Sequence, residues 1–223
     1  MNKIAEYLKK NVRRIEMSFF GVIMGAISVG IFKIAAFGVD PFQSFMAGLY
    51  KLVAIDFGLL YIIVNAILLL FSIITDRSRI GIATFINLFL LGYITDWTYA
   101  FLQTIFVNPS MIVRIACIFV GIVAICFGAS FYMTADLGVS TYDAIAIVMA
   151  NKWKIGKFKF IRIATDLACV ILGVALFFAG GGEFSGIGQV VGVGTIITAL
   201  FMGPLIEFFA DHIAKPFLAR GTK

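Results

Sequence analysis

Six apolar runs of about 20 residues each dominate the chain, at 17–36, 59–74, 80–102, 111–132, 160–178 and 189–209. That is the length a helix needs to cross the roughly 30 Å hydrocarbon core of a bilayer. Backbone N–H and C=O groups find no water in lipid, so such runs must satisfy themselves as helices or as closed barrels. The alternating pattern of barrel strands is absent, which leaves helices. Composition agrees: 61% of the 223 residues are hydrophobic and only 13% are charged, whereas a soluble domain is about a quarter charged. The expected fold class is an all-α polytopic membrane protein with six transmembrane helices.

The formal net charge of +6 does not point to nucleic acid. Lys and Arg gather in cytoplasmic loops of membrane proteins, and that alone makes such a chain basic. Cys117, Cys126 and Cys169 lie inside apolar runs without CxxC spacing, and the single histidine, His212, sits at the end of the last run. They read as packing and interfacial residues, with no metal and no cofactor expected. The chain has no HExxH, no Ser/His dyad and no Walker-type loop, so an enzyme is not expected. The first apolar run is long enough to span, so it reads as a helix and not as a cleavable signal.

Two shorter segments interrupt the spans. After the first comes Phe37-Gly38-Val39-Asp40-Pro41-Phe42-Gln43-Ser44, and after the fourth Leu137-Gly138-Val139-Ser140-Thr141-Tyr142-Asp143-Ala144. Pro suits the first position of a helix, and Asp, Ser or Thr before the first turn can cap its free N–H groups. The helix opened at Pro41 runs to about residue 53, or about 20 Å at 1.5 Å per residue, too short to cross. The second runs to about Met149. Each is expected to be a half-helix or re-entrant segment.

These segments belong to an internal repeat. Gly38-Val39 recurs as Gly138-Val139, and Gly21 as Gly121. Later, Gly81-Ile82-Ala83-Thr84, Asn87, Gly92 and Asp96 lie against Gly192-Val193-Gly194-Thr195, Thr198, Gly203 and Glu207. Three spans per half is odd, so the second half must enter the membrane upside down. The charges fit. With the N-terminus inside, the basic stretches 3–14, Arg77 and Arg79, 152–162 and 215–223 are all cytoplasmic. The outer segments carry Asp40, Asp56 and Glu183, with Lys51 as their only basic residue. The expected organisation is a basic cytoplasmic segment (1–16), membrane repeat 1 (17–105), a linker (106–110), membrane repeat 2 (111–210) and a cytoplasmic tail (211–223). It forms a 3+3 inverted repeat with a half-helix after the first span of each half.

At the turns Gly38-Val39-Asp40-Pro41-Phe42-Gln43 and Gly138-Val139-Ser140-Thr141-Tyr142-Asp143 the chain resembles the YczE/YyaS/YitT family of bacterial membrane proteins. That family carries a Gly-Val/Leu-Gly-Pro-Trp-Asp type of turn after its first span. Here Pro41 stands only in the first copy, and the acidic position is Gln43 in the first and Asp143 in the second. The resemblance covers roughly residues 15–210. It implies a multi-pass protein of the bacterial cytoplasmic membrane, and it supplies no substrate and no catalytic residue.

Inverted repeats with broken helices are a transporter architecture, with the site near the midplane. The expected function is therefore a secondary transporter or facilitator for a small polar solute, zwitterionic or anionic solutes included, working by alternating access. The alternative is a non-transporting scaffold or accessory subunit. The expected partners are the lipid bilayer and the solute, with a homodimer allowed and nucleic acid excluded. Candidate solute-binding residues are Asp40, Gln43 and Ser44, their counterparts Ser140, Thr141 and Asp143, and the intramembrane polar residues Asn65, Asn87, Asp166 and Thr198. Each has a plain structural reading. Asp40, Ser140 and Thr141 are natural caps, Asp166 has Arg162 one helical turn away, and Asn87 and Thr198 suit interhelical hydrogen bonds. Gly38, Gly138, Gly81 and Gly192 are expected to be structural.

Overall fold

A computed structural model describes residues 2–53, 55 and 57–220. Asp56 and Lys223, and the side chains at 3–10 and of Arg79, lie outside the described residues. Among the described residues nine α-helices follow in order: α1 (Asn2–Ala35), α2 (Pro41–Val53), α3 (Phe57–Asp76), α4 (Ile82–Ile105), α5 (Met111–Ala135), α6 (Thr141–Ile147), α7 (Phe158–Ala179), α8 (Val193–Phe209) and α9 (Lys215–Ala219). Among the described residues there is no strand.

Among the described residues six helical stretches are long and apolar enough to cross a membrane: Asn11–Ala35, Leu59–Asp76, Ile82–Ile105, Met111–Ala135, Phe158–Ala179 and Val193–Ala219. Many of their large apolar side chains point outward. Tyr93, Ile112 and Phe119 are 81%, 80% and 71% exposed. A soluble protein would not leave so continuous an apolar surface bare. The chain is a multi-pass membrane protein.

Two boundaries differ from the expectation. The basic N-terminal residues continue α1 and form no separate element; 34 residues reach about 50 Å at 1.5 Å each, longer than the hydrocarbon core. The last span starts at Val193, after a 3-10 turn at Phe184–Gln189, because Gly186, Gly188 and Gly192 interrupt the run. It then continues through a wide π turn, Ala210–Ala214, into α9. Pro216 has no N–H to give to His212, and a widened turn lets the chain pass that gap.

Helix α1 lies antiparallel to α5. Arg14, near the start of the membrane-spanning part of α1, donates to the Ala135 carbonyl that ends α5, and Arg114 near the start of α5 donates to Ala35 and Ala36 at the end of α1, both at 2.8 Å. Their backbones touch where Gly21 faces Gly128; a Cβ on Gly21 would stand 2.5 Å from the Gly128 carbonyl. Helix α4 flanks α1, and α8 flanks α5 and α7. The main core joins Phe32 of α1, Ile122 and Cys126 of α5, Ile147 of α6 and Met202 and Ile206 of α8.

The short helices occupy the remaining space. Helix α2 runs along α7 from the middle of that helix to its end. Gly173 meets the Ser44 carbonyl, and Gly180 meets Lys51. Helix α6 starts against the middle of α3, where Thr141 reaches Asn65. It leaves at the end of α3, where the Lys152 ammonium donates to the Thr75 carbonyl. Each therefore begins at mid-bundle.

The turns that lead into α2 and α6 are held in the same way. Gly38 has φ +100° and Gly138 φ +105°, a region other residues enter only with strain. Gly38 lies on Gly192, and Gly138 on Gly81; a Cβ on either would stand 2.5 Å from the facing glycine nitrogen. The Phe37 carbonyl accepts from Gly194 N at 2.9 Å, and the Leu137 carbonyl from Ala83 N at 3.0 Å. Thr195 and Thr84 each accept the N–H of the glycine that opens their helix, at 3.2 Å. Thr84 also donates to the Val139 carbonyl at 2.7 Å. The turns thus deliver α2 and α6 to one place.

Candidate functional site

The first turns of α2 and α6 meet face to face. The rings of Phe42 and Tyr142, each one residue after its helix start or cap, stack with centroids 5.0 Å apart and 25° between planes. Around them is a cavity of about 120 Å³. A water takes roughly 30 Å³, so the space suits a few waters or one small solute. Asp40, Phe42 and Gln43 line it from the α2 turn, and Ser140, Thr141, Tyr142 and Asp143 from the α6 turn. Tyr61 and Asn65 of α3, Asn87 of α4, Arg162 of α7 and apolar residues of α1, α5 and α8 complete the wall.

Both helix starts are capped, by different chemistry. Asp40 accepts the N–H groups of Phe42 and Gln43, both at 3.1 Å, through one carboxylate oxygen, Oδ1. Ser140 accepts the N–H of Asp143 at 3.0 Å. Thr141 donates to Asn65 at 2.7 Å, and Asn65 donates back to the Tyr61 carbonyl of its own helix at 2.9 Å.

One side of the site is a buried ionic cluster. The Arg162 guanidinium, 4% exposed, pairs with Asp143 through Nη1 and with Asp166 through Nε at 3.1 Å. It lies 4.7 Å over the Tyr142 ring, and Tyr142 donates its hydroxyl to Asp166 at 2.6 Å. A buried arginine without carboxylates would cost several kcal/mol (order of magnitude), and so would either acid alone. The three stand or fall together and hold Tyr142 in place.

A second, larger cavity of about 510 Å³ adjoins the first and shares Val29, Asp40, Gln43, Tyr61 and Leu91 with it. It extends to Lys33 and Asp96, which form an ion pair of 2.8 Å near one end of α1; Asp96 is 75% exposed there. Asp40, Gln43 and Tyr61 therefore stand between an inner chamber and a vestibule.

Of the residues expected at the site, Asp40, Gln43, Asn65, Asn87, Ser140, Thr141 and Asp143 line the inner cavity, and Asp166 sits one bond behind it. Two are elsewhere. Ser44 is fully buried where α2 crosses Gly173. Thr198 donates to Gly194 and Thr195 of its own helix. Gly38, Gly138, Gly81 and Gly192 are the contact points of the two turns. Sequence reasoning missed Arg162, Tyr142 and Tyr61 as site residues. The i,i+4 spacing of Arg162 and Asp166 was visible, but the bond from Arg162 to Asp143 crosses from α7 to α6 and leaves no local pattern. Among the described residues no group of three or more His, Cys, Asp or Glu could hold a metal ion.

Comparison with known proteins carries the resemblance over most of the chain. The family DUF6198, described as a family of unknown function, matches residues 12–211. The uncharacterized protein YyaS of Bacillus subtilis (strain 168) is 22% identical over 204 residues, 91% of this chain and 95% of that one. The uncharacterized membrane protein YczE of the same organism is 25% identical over 193 residues, 85% of this chain and 82% of that one. An uncharacterized protein of Haemophilus influenzae is 22% identical over 204 residues, 91% and 86% of the two chains. No solved structure matches.

Proposed function

Because the chain belongs to DUF6198, a family of unknown function, membership brings no activity, and we propose from the cavity itself that the protein carries a small polar solute across the membrane. The observation behind this is the convergence of two short-helix starts on one chamber with polar and charged walls. Charged groups at membrane depth are costly, and they are kept where they face a solute or ion path.

The carrier reading includes a 3+3 inverted repeat. The matched turn geometry supports it: Gly38 on Gly192 answers Gly138 on Gly81, and Phe42 stacks on Tyr142. The loop charges support opposite insertion of the halves, with both termini in the cytoplasm. On that reading α2 is a half-helix reaching the midplane from the outer face, and α6 is its mate from the cytoplasmic face. Alternating access would then be a rocking of one repeat against the other about the stacked rings. The vestibule at Lys33 and Asp96 would be the outer approach, and the Arg162 cluster would close the inner one.

Flux tests the proposal. Protein in liposomes, offered a panel of small cations, anions and zwitterions, should move at least one faster than protein-free liposomes. Asp143→Asn and Asp166→Asn should lower that flux while insertion stays intact. A panel in which nothing moves, with a partner protein co-purifying in fixed ratio, would point to a scaffold instead.

A further inference from the structure

Among the described residues, the one charge that lines the inner chamber without an ion-pair partner is negative, that of Asp40. An anion entering the inner chamber would look for the free N–H groups at the start of α2 or for Arg162. Neither offers an uncompensated positive charge. Asp40 already accepts from the first N–H groups of α2, Phe42 N and Gln43 N. Arg162 is bonded to both Asp143 and Asp166. What remains open at Asp40 is acceptor capacity. The second carboxylate oxygen of Asp40 makes no hydrogen bond among the described residues, and Asp40 has no ion-pair partner among them. The amide groups of Gln43 and Asn87 line the same chamber, and among the described residues their side chains bond to nothing. Phe42 and Tyr61 stand beside Asp40 in the wall, and aromatic faces attract cations. Among the described residues that line the two cavities, the acids Asp40, Asp96 and Asp143 face the cations Lys33 and Arg162.

We infer that the solute is a small ammonium cation, held by Asp40 with the carbonyl oxygens of Gln43 and Asn87. It would reach Asp40 through the vestibule past Asp96, because Asp40 is common to both cavities. The inference rests on the solute-chamber reading above and narrows it, setting the anionic solutes aside.

Thermal unfolding of the detergent-purified protein tests it, with methylammonium chloride, sodium acetate and glycine at equal ionic strength. Methylammonium should raise the midpoint in a saturable way, and acetate and glycine should not. Asp40→Asn keeps the cap, because Asn caps a helix as well as Asp, but removes the charge. It should weaken methylammonium binding by about 10- to 100-fold, the worth of a charged hydrogen bond. Asn87→Leu should weaken it less. Stabilisation by acetate or glycine but not methylammonium would overturn the inference, as would no ligand effect at all. So would equal binding by wild type and Asp40→Asn. Liposome flux separates this from the carrier reading. Methylammonium that binds but does not cross leaves the ligand assignment standing and removes transport. An anion that crosses keeps transport and removes the ligand assignment.

Discussion

The turn before α2 and the turn before α6 share a backbone and differ in chemistry. Both place a left-handed residue, Ala36 or Asp136, two positions before a left-handed glycine. Both rest that glycine on the glycine that opens a long helix elsewhere in the chain. Yet the first is capped by a carboxylate without an ion-pair partner among the described residues, and the second by a neutral hydroxyl. The acid of the second turn, Asp143, is tied to Arg162. At the matching place in the first turn Gln43 faces the chamber with no side-chain bond among the described residues. The two turns divide the labour: the α6 side fixes the wall, and the α2 side presents the open groups.

Five substitutions probe that division. The largest effect is expected for Arg162→Met, which strands Asp143 and Asp166 in a dry site. Breaking a buried ionic cluster costs about 3–5 kcal/mol, so folded yield and unfolding midpoint should collapse. A midpoint near wild type would mean that the cluster is not the wall. Next come Gly38→Ala and Gly138→Ala. Each adds a Cβ against a backbone nitrogen at a strained φ, a loss of about 1–3 kcal/mol. The two losses should match within error; a tolerant Gly38 beside an intolerant Gly138 would break the equivalence of the turns. Thr84→Val removes an acceptor for Gly81 and a donor to Val139, costing about 1–2 kcal/mol in the same assay. The smallest is Asp40→Asn, expected within about 0.5 kcal/mol of wild type because Asn caps as well. A larger loss would place the Asp40 charge in the fold and not in the chamber.

The spans were legible in the sequence because lipid imposes a length and a hydropathy that few other environments demand. The turns were legible because Gly38 and Gly138 sit where only glycine is at ease, followed by residues that cap. Polar residues inside helices were harder. Ser44, Thr198 and Asn87 all read as polar groups in apolar runs. Only packing decided that Asn87 faces the chamber while Ser44 lies under Gly173 and Thr198 bonds to its own helix. Arg162 was underrated because a charge near a helix start looks interfacial until α6 folds back over it. The π turn at 210–214 was signalled only indirectly, by Pro216 two residues beyond it.

The most direct test of alternating access is which faces of the membrane reach the chamber. In a background with Cys117, Cys126 and Cys169 replaced, Gln43→Cys should react with a membrane-impermeant thiol reagent from either side of sealed vesicles. Ser44→Cys, packed against α7, should stay unreactive. Labelling of Gln43→Cys from neither side, or from one side only under every solute condition, would contradict a carrier.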